Sequence, residues 1–160
     1  MERNRHHSGF TLIELVLAMS ILAVVSSSVL VAMGESARQH VENEERSLAV
    51  QLARSLMEEV LAQAFEDPHE TEGSFGNEEG VRQLFDDVDD YDLHAETPVV
   101  DAIGLAIPGA TAFTRSVEVH NVLEANPDVV VSDGSTDFKR VTVIVQGTTE
   151  TLRLYGLKAK

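Results

Sequence analysis

Cysteine is absent from this 160-residue chain, tryptophan is absent too, and aromatic residues make up only 5%. Without cysteine there is no disulfide framework and no thiol nucleophile. Disulfide-free proteins occur in every compartment, so location stays open on that count. Bases are scarce: 12 Lys and Arg stand against 27 Asp and Glu, for a net charge of −15. Such a chain repels phosphate backbones, which argues against a nucleic-acid reader. The length allows one modest domain plus an appendage. Part of the 43% hydrophobic content lies in one N-terminal run, so the remainder must build a small core.

That run is the first positive feature. Residues 1–9, MERNRHHSG, are polar and carry Arg3 and Arg5. Residues 10–33 are apolar except for Glu14 and a few small hydroxyls. As a helix the run rises ~36 Å, enough for a ~30 Å hydrocarbon core. Basic residues before it and acids after it place the N-terminus in the cytoplasm. A secretory signal has a shorter apolar core, although Ala32-Met33-Gly34 has the small residues of a cleavage site. An uncleaved anchor fits the length but gives no reason for Glu14. An acid at a helix centre in the bilayer costs ~2.5–3.5 kcal/mol, and less near its end. A retained charge of that kind implies a partner.

The stretch GFTLIEL, residues 9–15, resembles the processing motif of the type IV prepilin family, which includes the pseudopilins of type II secretion. The resemblance covers residues 9–33. It implies cleavage by a prepilin peptidase between Gly9 and Phe10, which removes residues 1–9 as a leader, and N-methylation of Phe10. It also implies that Glu14 pairs with the N-terminal amine of a neighbouring subunit during assembly. The partners implied are the peptidase, other pilin or pseudopilin subunits, the inner-membrane assembly platform and membrane lipid. Residues 10 and 14 lie one helical turn apart. An amine and a carboxylate in low dielectric attract strongly, and each alone is costly. Pairing at different heights between subunits therefore rewards a defined stagger.

Helix signals continue past the membrane run. Residues 35–64 contain no proline or glycine. Leu48, Leu52, Leu56 and Val60 recur at four-residue spacing, flanked by Ala49, Ala53, Met57, Leu61 and Ala64. This is one apolar stripe, to be covered by another layer. The serines at 26–28 and Gly34 are the places where the helix is weakest. Pro68 closes the helical pattern, and residues 66–112 read as a loop-rich acidic connection. Residues 113–160 read as an antiparallel β-layer. In residues 139–146, KRVTVIVQ, Val141, Val143 and Val145 alternate with Thr142 and Ile144. Gly147-Thr148 marks a tight turn. The expected fold is α+β and pilin-like: a long N-terminal helix, a membrane part at 10–34 and an amphipathic extension at 35–65, packed on a small antiparallel sheet. The strands opening FTRSVEV and KRVTVIV, and the helix LARSLMEEVLAQ, resemble minor pseudopilins of the I type and related minor pilins.

Few residues suggest other chemistry. Residues 85–94, FDDVDDYDLH, hold Asp86, Asp87, Asp89, Asp90 and Asp92. Five hard oxygen donors make calcium a candidate cofactor, since it takes 6–8 oxygens. The spacing is not that of an EF-hand, and a solvated acidic loop with an apolar edge of Phe85, Val88 and Tyr91 is the competing expectation. Asp133 and Asp137 read as turn formers. The six histidines have no ligand spacing, no serine sits in a nucleophile elbow, and nothing selects two acids for glycoside hydrolysis. The sequence thus points to a structural subunit of a pseudopilus or pilus and not to an enzyme. The alternative is an uncleaved, membrane-anchored binding module, with calcium as its possible ligand.

Overall fold

A computed structural model describes residues 11–68 and 81–160. The predicted cleavage bond, Gly9–Phe10, lies outside the described residues. One helix, α1, runs over Leu12–Ala62. The weak points foreseen at 26–28 and Gly34 do not interrupt it. There the hydroxyls of Ser27 and Ser28 donate to the carbonyls of Ala23 and Val24, 2.8 and 3.0 Å away, so they add no unsatisfied polar group to an apolar surface. The chain divides into two compact units, residues 1–43 and 44–160. In the first, every described residue is exposed.

The second unit is an α+β layer. Its strands are β1 (Ala95–Glu96), β2 (Thr114–Leu123), β3 (Asn126–Val130), β4 (Phe138–Gln146) and β5 (Thr151–Ala159). They form one antiparallel sheet in the order β1-β2-β4-β5, with β3 paired to β2. The alternation in β4 is realised as foreseen: Val141, Val143 and Val145 are fully buried, and Val117 and Val119 of β2 join them. Against these valines lies the α1 stripe of Ala49, Leu52, Ala53, Leu56, Met57 and Val60. Each fully buried Leu or Val contributes about 1.5–3 kcal/mol, so this interface is the main stabilising surface. Gly156 lets β5 approach the helix, because a Cβ there would stand 2.6 Å from Met57 Sδ.

The connection between helix and sheet is more built than its loop-rich composition implies. Among the described residues it holds two 3₁₀ turns, Arg82–Leu84 and Asp89–Tyr91, as well as β1. Phe85, Val88 and Tyr91 form the expected apolar edge and are buried in the core. After α1 the chain pairs with this segment: Ala64 N donates to Asp86 O (3.1 Å) and Val88 N to Ala64 O (3.1 Å).

Candidate functional site

Thr11 precedes the first residue of α1, and Glu14 stands in the first turn. The Glu14 amide donates to Thr11 O at 3.1 Å and meets Thr11 Oγ1 at 3.4 Å. Thr-x-x-Glu at a helix start is the capping-box pattern, and an acid there complements the positive helix end. Local chemistry thus gives Glu14 one role inside its own chain. It does not use up the carboxylate: Glu14 is exposed, and no described residue donates to its side chain. Around it Leu12, Ile13, Leu15 and Val16 are 53–81% exposed. The apolar part of α1 is long enough to cross a membrane. The Glu14 carboxylate thus stands exposed on an uncovered, mainly apolar stretch of helix.

Residues 4–33 match the prokaryotic N-terminal methylation motif. The chain has a type IV prepilin-like N-terminus. The match ends within the apolar part of α1 and covers none of the sheet. No match was found among curated proteins or among solved structures. The motif and the apolar helix together fit a membrane-anchored pilin, and they favour a structural subunit over an enzyme.

The aspartate cluster of this prepilin-like chain is not the solvated loop that its composition suggests. Asp87, Asp89 and Asp90 are 2–5% exposed. One oxygen of each is engaged by the chain's own donors. Asp87 Oδ1 accepts from the amides of Asp89 (2.7 Å) and Asp90 (3.0 Å). Asp90 Oδ2 accepts from the amides of Asp86 (3.0 Å) and Asp87 (3.3 Å). Asp92 Oδ1 accepts from Val119 N of β2 at 2.8 Å. Asp89 Oδ2 takes Lys139 Nζ of β4 at 2.6 Å in a buried ion pair. Among the described residues no three His, Asp or Glu side chains converge on a metal-sized centre. The cluster that made calcium a candidate is therefore engaged in holding the connection against the sheet. Burial pushes Asp89 up to about 6 against the pull of Lys139, with Asp87 and Asp133 adding to the push.

A second buried polar group escaped the sequence reading. Arg115 of β2 is 1% exposed. It donates to Leu52 O of α1 (2.9 Å), to Val100 O (2.8 Å) and to Glu96 Oε1 of β1 (2.7 Å). Arg82 clamps Glu59 of α1 through two bonds of 2.7 and 2.8 Å and reaches Glu96 Oε2 at 2.9 Å. Tyr91 Oη donates to Glu59 Oε1 at 3.0 Å. Burial pushes Glu96 up, but His94, Arg115 and Arg82 outweigh it and hold the carboxyl below its usual range. The forked geometry of both arginines is what makes such a buried arrangement tolerable. It ties α1, the connection and the first two strands together.

Proposed function

We propose that this chain is a minor subunit of a type II secretion pseudopilus or a type IV pilus. Prepilin peptidase cleaves it between Gly9 and Phe10, Phe10 is N-methylated, and the mature chain enters a filament through α1. Before assembly the chain sits in the bacterial inner membrane, with its N-terminus cytoplasmic and its sheet-bearing unit periplasmic. The inner-membrane assembly platform and other pilin subunits are its partners. One observation carries this reading: the methylation motif at residues 4–33 runs into a helix whose apolar first part is exposed on all sides. Exposed apolar surface of that extent needs lipid first and neighbouring helices later.

The test is mass spectrometry of the mature N-terminus from membranes of a host that carries the peptidase. N-methyl-Phe10 is expected. An intact Met1 would leave an uncleaved anchored module, and a cut after Gly34 would leave a secreted protein; either result overturns the proposal.

A further inference from the structure

β5 is the last strand on one side of the sheet and, among the described residues, pairs only with β4. Its backbone polarity is fixed at both ends of that pairing. Lys160 N donates to Asp137 O (3.1 Å), and Glu150 O accepts from Gly147 N (3.0 Å). In an antiparallel ladder the N–H and C=O of one residue point the same way, and the direction alternates along the strand. Leu152, Leu154, Gly156 and Lys158 therefore bond to β4, while Arg153, Tyr155 and Leu157 turn their donors and acceptors to the free edge. No described segment pairs with that edge. Nor is it guarded: β5 has nine residues, no proline, and a register without a bulge from Thr151 to Ala159. Lys158, a charge that could blunt it, is drawn to Leu61 O of α1 at 2.9 Å. Beside the edge Tyr155 and Leu157 are 61% and 52% exposed, and a cleft of about 450 Å³ opens between them and Pro127 of β3.

We propose that the free edge of β5 accepts an added strand: an extended segment of another protein, apolar where it passes Tyr155 and Leu157 and bearing a carboxylate opposite Arg153. Main-chain bonds to an exposed edge supply affinity, and the side chains flanking it supply selectivity. The charge follows from the strand itself. Residues 151–160 hold three bases and no acid, and Arg153 is exposed, without an ion-pair partner among the described residues. One carboxylate suffices, because a run of acids would be repelled by a chain of net charge −15. A second copy is a poorer occupant. β5 runs in the same sense as α1, since Glu150 meets Arg46 and Lys158 reaches Leu61 O. Antiparallel pairing of two β5 edges would set two copies head to tail, which a shared membrane does not allow. Only this last step rests on the membrane reading; the edge itself lies outside the N-terminal run on which the assembly proposal stands.

The probe is the blocked peptide acetyl-Thr-Val-Thr-Val-Thr-Glu-Thr-amide, which in antiparallel register sets its valines opposite Leu157 and Tyr155 and its glutamate opposite Arg153. It is titrated into the full chain in lipid nanodiscs and followed by NMR at the backbone amides. Saturable shifts are expected at Arg153, Tyr155 and Leu157 and not at Leu152 and Leu154, which β4 already holds. Exchange at the three edge amides should slow about tenfold when peptide stands about tenfold above its dissociation constant. The same peptide with both valines N-methylated should not bind. Tyr155→Pro removes an edge donor that β4 does not use, so the sheet tolerates it and the edge does not; it should abolish binding while the Val141 and Val143 amides stay protected. Arg153→Gln, which leaves the backbone edge intact, should weaken binding up to about fivefold, the range of an exposed ion pair. No saturable shift at the edge amides would overturn the proposal, as would equal binding of the N-methylated peptide. Slow exchange at these amides before peptide is added, rising with the number of chains per disc, would name a second copy as the occupant and overturn it too.

Discussion

Lys139 is a cation fixed between burial and partnership. It is 3% exposed, bonded to Asp89, lies 4.3 Å from the Phe65 ring centroid and donates to Phe65 O. Removing one partner of a buried pair typically costs 3–5 kcal/mol, because the remaining charge has neither water nor a counter-ion. Lys139→Met should therefore destabilise the folded chain by about 3–5 kcal/mol at pH 7.5. The sign of the pH dependence follows from Asp89, whose folded value of about 6 lies above the ordinary 3.8. A raised acid is neutral below that value and becomes a buried charge as pH rises through it, so the penalty in the variant grows with pH. Thermal unfolding followed by circular dichroism should show a smaller loss at pH 5 than at pH 7.5, and Asp89→Asn in the same chain should recover most of it. Equal losses at both pH values would mean that the lysine stem, and not the charge, is what matters. Both buried bases were legible by parity alone. Arg115 alternates in step with Val117 and Val119, and Lys139 with Val141, Val143 and Val145, so each had to point inward. Their partners were not legible, since Glu96 and Asp89 are two acids among 27.

The helix stripe and the valine strands were readable because their period is local: each follows from spacing along one segment. The connection was not, because its order comes from contacts distant in sequence, such as Arg82 with Glu59 or Asp92 with Val119 N. The β4–β5 turn shows both kinds of information. Gly147-Thr148 was recognisable as a turn, but the group that fixes it comes from α1. Glu45 Oε1 accepts from Thr148 N (2.6 Å) and Thr149 N (3.2 Å), and Glu45 also meets Thr148 Oγ1 at 2.8 and 2.9 Å. Gly147 is needed beside it, since a Cβ would stand 2.5 Å from Glu45 Oε1 and 3.0 Å from Phe113 Cε1. The Thr148 hydroxyl, with the Thr149 and Thr148 amides, holds Glu45 below its usual range against a smaller upward push from burial. A depressed carboxyl stabilises above its unfolded value, and that contribution is lost as pH falls through the folded one. Glu45→Ala should accelerate amide exchange several-fold at Thr148 and Thr149 while leaving Val141 and Val143 unchanged. The difference from the unmodified chain should shrink below about pH 4.5, the ordinary glutamate range. Acceleration spread over the whole of β4 would show that the contact stabilises the entire sheet and not its turn.

For the molecule as a whole, Glu14 stands between two roles. Within its own chain its amide meets Thr11 Oγ1, and its side chain holds the glutamate position of the capping-box pattern. Between chains it supplies the charge that the proposed assembly needs, on a helix where Leu12, Ile13, Leu15 and Val16 beside it are apolar and exposed. The two roles separate under one substitution, because a capping box accepts glutamine as well as glutamate. Glu14→Gln keeps the cap and removes the charge. If pairing with a neighbour's amine guides entry, Glu14→Gln should still insert in the membrane and still be cleaved after Gly9, yet incorporate poorly into filaments. Each 1.4 kcal/mol of lost pairing lowers incorporation tenfold, and an acid in the bilayer is itself a matter of ~2.5–3.5 kcal/mol at most. The expected loss is therefore about ten- to a hundredfold. It is measured as the ratio of sheared filament to membrane-bound subunit by immunoblot, alongside Glu14→Ala, which removes the capping-box side chain and the charge together. Similar losses in both variants would assign the defect to the charge. Normal incorporation of Glu14→Gln with failure of Glu14→Ala would make Glu14 a helix cap, and the stagger between subunits would then have to come from the packing of the apolar helices alone.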